Sequence, residues 1–85
     1  MGAYDIRFTK EAAQDVQKLS PQLTKKLKDI LQNLISLEPY SGKKLVGQLK
    51  GFYSIRLSYQ DRIVYSIDEQ DRTVYIHRAK TNYGA

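Results

Sequence analysis

The chain has 85 residues, 14 basic against 9 acidic side chains, a formal charge of +5 and no cysteine. This is the scale of one small domain, without a disulfide framework or a thiolate site. A single histidine, His77, excludes a histidine-cluster metal centre and any serine–histidine–aspartate triad not built on it. No apolar run approaches the roughly 20 residues of a spanning helix and no signal peptide opens the chain. The expectation is a soluble cytoplasmic domain, off the membrane, that uses neither metal nor cofactor.

In "AYDIRFT", Tyr4, Ile6 and Phe8 alternate with Asp5 and Arg7, the period of a half-buried strand. Thr9 can cap a following helix, with Glu11 in its first turn and Ala12, Ala13, Val16 and Leu19 turned inward. Ser20 is a second N-cap, and Pro21 suits the first helical position, where its missing N–H is no loss. Leu23, Leu27, Ile30, Leu31, Leu34 and Leu37 form an apolar stripe, and Pro39 ends the helix.

After a loop at 40–47, three strand signals follow. "GFYSIRLS" sets Tyr53, Ile55 and Leu57 on one face and Ser54, Arg56 and Ser58 on the other. "RIVYSID" separates Ile63, Tyr65 and Ile67 from Arg62, Val64 and Ser66, and "RTVYIHRA" is the last strand. The predicted fold is α+β in the order β-α-α-β-β-β. A helical hairpin packs on one face of a four-stranded, mostly antiparallel sheet, in a single domain spanning 1–85. The other face then carries Arg56 and Arg62 among small residues, and reads as open and polar.

Residues 1–40 hold six basic and five acidic side chains, whereas 41–85 hold eight and four, so most of the excess charge is C-terminal. A basic patch of this kind is either a polyanion site or a solvated surface. Two arginines can clamp one phosphodiester, with Lys43, Lys44 and Lys50 extending the contact along a nucleic-acid backbone. Tyr53, Tyr75 or Tyr83 can stack on bases, although each can equally be a packing residue. His77, Arg78 and Lys80 complete the candidate RNA-binding set. Alternation places His77 on the arginine face if Val74 and Ile76 face the helices. The acids Asp68, Glu69 and Asp71 read as solvated hairpin residues.

The stretches "YDIRFTKEA", "PYSGKKLVGQLKGFYSIRLS", "DRIVYSI" and "RAKTNYG", in this order, resemble the RelE/ParE superfamily of toxin–antitoxin toxins and its YoeB/Txe-type branch. The resemblance covers nearly the whole chain. It implies an mRNA interferase that enters the ribosomal A site and cleaves RNA through the 2′-hydroxyl. It also implies a cognate antitoxin, operator DNA bound only by the toxin–antitoxin complex, and the dimers common among YoeB-type relatives. Arg56 and Arg62 match the family's active-site arginines. The terminal histidine–tyrosine pair falls on Asn82 and Tyr83, so the tyrosine is kept and the histidine is not. The glutamate thought to act as general base in YoeB-type members falls at or near Lys43; lysines there are a feature of the RelE branch. The catalytic candidates are thus Arg56, Arg62, Asn82 and Tyr83, in an enzyme attenuated at position 82, whether that asparagine is natural or introduced. The alternatives are a ParE-like inhibitor of DNA gyrase and a non-catalytic module that binds RNA or an antitoxin.

Overall fold

The computed structural model describes residues 3–79. Lys80, Asn82 and Tyr83, three of the candidate residues, lie outside them. Strand β1 (Asp5–Phe8) leads into helices α1 (Lys10–Gln17) and α2 (Pro21–Ile30). Strands β2 (Lys43–Lys44), β3 (Phe52–Arg56), β4 (Arg62–Asp68) and β5 (Thr73–Arg78) follow. Both predicted caps form: the Thr9 hydroxyl accepts from Ala12 N and the Ser20 hydroxyl from Leu23 N, each at 3.2 Å.

The sheet runs β1-β5-β4-β3-β2. The last four strands pair antiparallel in sequence order, and β1 lies parallel along β5, Arg7 beside Tyr75. The sheet therefore has five strands rather than four. The extra one is Lys43–Lys44, paired with Ser54 and Tyr53, and two residues are too few to show any periodicity.

The helical hairpin covers one sheet face. Ala12, Leu19, Leu27, Leu31 and Ile35 pack against Leu57, Ile63, Tyr65, Val74 and Ile76, all buried. The apolar stripe departs from expectation at its end, where residues 31–35 form a π turn and Ser36 N–H donates to Leu31 O, five residues back. The wider turn rotates the following side chains, so Ile35 is fully buried while Leu34 and Leu37 are exposed. On α1, Ala13 is exposed and Asp15 is buried in its place.

Glu69 is more than a solvated turn residue. Its Oε2 accepts hydroxyls from both Tyr4 and Tyr40 at 2.5 Å, tying the first strand and the residue 39–41 turn to the β4–β5 hairpin. The two phenols hold its carboxyl below the usual range, and the shared bond pushes Tyr40 up to about 12.

Candidate nucleic-acid interface

Tyr65 fixes where the basic residues sit. Its ring is fully buried and its hydroxyl donates to Pro39 O at 2.7 Å. Burial pushes that phenol up to about 12. Gly42 passes directly over it, and a Cβ there would lie 2.2 Å from the Tyr65 oxygen. Only glycine permits this approach, which brings Lys43 opposite Ser54 at the sheet edge.

Between that edge and the open sheet face lies a cavity of about 380 Å³, with Lys43, Lys44, Ser54 and Arg62 as its polar lining and Leu45, Val46 and Leu49 as its apolar wall. Arg56 sits directly across from Arg62 at the end of the β3–β4 ladder. Like charges in directly opposed positions repel, and among the described residues neither arginine has a carboxylate partner within 4.0 Å. A neighbouring cavity of about 400 Å³ shares Lys44, Leu45 and Val46 and adds Lys50 and Phe52. The intervening loop turns on Gly47 and Gly51, both at positive φ (68° and 96°).

His77 lies on the same face. Its Nε2 is 2.8 Å from Ser66 Oγ and its ring packs against Phe52 at a centroid distance of 4.7 Å. Burial lowers its pKa, partly opposed by the charge of Glu11, so the ring is neutral at neutral pH.

Two candidates belong elsewhere. Tyr53 is buried in the core, stacked on Tyr65 at 5.7 Å and met edge-on by Tyr40 at 5.8 Å. It is 8% exposed and reaches the open face only as part of the wall of the second cavity. Arg78 turns to the helical side, where Nε and Nη2 donate to Asp15 at 2.8 and 3.2 Å. The same carboxylate accepts from the buried Ala79 N–H at 3.0 Å. Arg78 thus anchors the end of β5 to α1 and is not part of the open face. Ser54, by contrast, is one of the lining residues of the cleft; the alternation that puts Arg56 on the open face puts Ser54 there too.

A helical hairpin thus backs a sheet whose free face ends in a basic cleft. The comparisons place that architecture in a family. The family model for the ParE toxin of the type II toxin–antitoxin system parDE matches residues 6–79. Toxin RelG of Mycobacterium tuberculosis (strain ATCC 25618 / H37Rv) is 36% identical over 76 residues, which are 88% of this chain and 86% of RelG. The RelBE2 toxin–antitoxin complex from M. tuberculosis contains a chain that superposes with a TM-score of 0.85 at 34% identity, covering 95% of this chain and 93% of that one. A YoeB/ParE toxin from Agrobacterium tumefaciens shares the fold, with a TM-score of 0.83 at 20% identity over 93% and 99% of the two chains. This chain belongs to the RelE/ParE superfamily and is a toxin of a type II toxin–antitoxin system.

Proposed function

We propose that this toxin is a ribosome-dependent mRNA endonuclease, restrained by a cognate antitoxin and attenuated at position 82. The observation that carries the reading is the Arg56–Arg62 pair. Arg56 and Arg62 occupy directly opposed positions of the β3–β4 ladder, and Arg62 lines the cleft with Lys43 and Lys44; such a cluster of cations suits a phosphodiester that gains charge at a pentavalent transition state. The 2′-hydroxyl loses its proton to solvent as its oxygen bonds to the adjacent phosphorus, the arginines neutralise the equatorial oxygens, and the P–O5′ bond breaks to give a 2′,3′-cyclic phosphate and a 5′-hydroxyl that takes its proton from solvent. The kinship with RelG and with RelE- and YoeB-type toxins supports the same reading.

Asn82 can donate a hydrogen bond but cannot deliver that proton. Loss of one general acid or base typically lowers a rate by about 10²–10⁴. The test is in vitro translation on purified ribosomes with mapped message ends. Weak A-site cleavage by this chain, raised at least about a hundredfold in Asn82→His, is expected. Equal, strong cleavage by both would remove the attenuation. Absence of cleavage by both, with inhibition of gyrase supercoiling, would move the chain to the ParE-like reading.

Several related toxins were solved as complexes, RelBE2, RelBE and YoeB–YefM among them. They support an antitoxin partner here, acidic and folding as it binds. A saturating cognate antitoxin should raise the melting temperature, because it binds only the folded state. The operator-binding species is then the complex rather than the free toxin.

A further inference from the structure

We infer that Tyr59 is a base-stacking residue, its ring receiving a base of the RNA strand whose phosphates meet the cations of the cleft. The inference rests on the proposal that the cleft binds RNA. Tyr59 is the middle residue of the connection between β3 and β4 and is 92% exposed. Arg56 and Arg62, the last directly opposed pair of that hairpin, stand three residues before it and three after it. The hairpin thus carries two cations at the base of its turn and one aromatic ring at its tip.

Packing does not call for tyrosine here. Neither its hydroxyl nor its ring has a partner among the described residues, and turns favour small polar side chains. The turn is nevertheless fixed. Leu57 N–H and Ser58 N–H donate to Asp61 O at 2.9 and 3.1 Å. Ser58 Oγ accepts from Gln60 N–H and Asp61 N–H at 3.2 and 3.0 Å and donates to Asp61 Oδ2 at 3.1 Å. That last bond holds the turn's one carboxylate, and among the described residues no ion pair joins it to Arg56 or Arg62. The residues on either side of Tyr59 are thus anchored while its ring stands in water.

A single exposed aromatic is ordinary on a protein surface. Its place beside two like-charged arginines is what points to a ligand. A nucleotide has an anionic part and a flat, weakly polar part, and this hairpin offers a surface to each. Guanidiniums take phosphate, and a tyrosine face takes any base, since every base has a π face. The anchored turn lowers the ordering cost of binding, because mainly the two side-chain torsions of Tyr59 remain to be fixed. A protein interface would set such a ring among other apolar side chains, whereas its neighbours in the turn are Ser58, Gln60 and Asp61.

The experiment compares the unmodified chain with Tyr59→Ala, Tyr59→Phe, Tyr59→Trp and Arg62→Ala. It measures melting temperature, and binding of a single-stranded 2′-fluoro RNA and of an abasic strand of equal length and charge. Tyr59→Ala should melt within about 2 °C of the unmodified chain, since an exposed ring supports little of the fold. It should bind the RNA about 5–150-fold more weakly and the abasic strand as the unmodified chain does. Tyr59→Phe should bind both normally. The chain has no tryptophan, so Tyr59→Trp reports stacking directly: its fluorescence should be quenched by the RNA and not by the abasic strand. Unchanged RNA affinity in Tyr59→Ala, beside a weakened Arg62→Ala, would overturn the role of Tyr59 alone. An equal loss on both strands, or a clear fall in melting temperature, would also overturn it, by showing that the ring supports the turn. Weaker binding of the cognate antitoxin with RNA binding intact would reassign Tyr59 to a protein contact. If Arg62→Ala binds RNA as well as the unmodified chain, the reading of the cleft itself fails.

Discussion

Replacing Asp15 by alanine tests how β5 is held against α1. Asp15 is 5% exposed, and its carboxylate receives three donors: Arg78 Nε, Arg78 Nη2 and the backbone N–H of Ala79. Removing it leaves the fully buried Ala79 without this acceptor, a penalty of about 1–3 kcal/mol. The Arg78 side chain also loses this carboxylate, but it is 37% exposed. Water can reach it, so that part falls well below the 3–5 kcal/mol of a fully buried break, to about 1 kcal/mol. The total is about 2–4 kcal/mol. At about 4–8 °C per kcal/mol for a domain of this size, the melting temperature should drop by about 8–32 °C.

Calorimetry or a circular-dichroism melt measures this directly. Asp15→Asn should fall between the two, since an amide oxygen can still accept from Ala79 N–H but cannot pair with the guanidinium. The double variant Asp15→Ala, Arg78→Ala completes a cycle that isolates the charge pair from the backbone bond. A melting temperature for Asp15→Ala within about 2 °C of the unmodified chain would refute this account of the β5 anchor.

Gly42→Ala should destabilise by about 1–3 kcal/mol, because its methyl meets a tyrosine oxygen already fixed on Pro39. An unchanged thermal melt would show that the residue 39–42 segment can move aside. Arg56→Gln removes one member of the like-charged pair and should stabilise the fold by a few tenths to about 1 kcal/mol. That gain should shrink in high salt while message cleavage falls by about 10²–10³. For His77, the folded pKa lies below the unfolded value of 6.5, so the unfolded chain binds the proton more readily. Stability should be greatest above that value and decline as pH falls below it toward the folded pKa. His77→Gln should remove that slope near pH 6, whereas the Glu69 contribution is lost only below 4.5.

What could be read from the sequence follows from the range of each interaction. Thr9 and Ser20 act on backbone groups three residues away, so the helix starts are written locally. The parallel pairing of β1 with β5 joins residues more than 60 positions apart, and no local pattern specifies which edge β1 takes. The π turn is equally hidden. It appears where packing favours Ile35 over Leu34, and the spacing of leucines alone does not reveal it. For two candidate site residues the alternation is the legible signal: it puts Tyr53 on the core face and Arg78 on the face opposite His77, and the structure places both there.

The same parity explains why the cleft is positively charged and unrelieved. Every side chain of β3 and β4 that could neutralise Arg56 and Arg62 would have to occupy an open-face position near them. Those positions hold Ser54, Val64 and Ser66, none of which carries charge. Basic residues on the helical side are treated otherwise: Arg78 is tied to Asp15. Arg78 on the helical side thus has a carboxylate, whereas among the described residues Arg56 and Arg62 on the open face have none within 4.0 Å. A charge arrangement that weakens the free protein and strengthens with an anionic ligand predicts reciprocal behaviour. Stability should rise as single-stranded RNA is added, more steeply at low salt, and Arg56→Gln should forfeit most of that rise. An equal gain in both proteins would mean that the arginine pair does not hold the ligand.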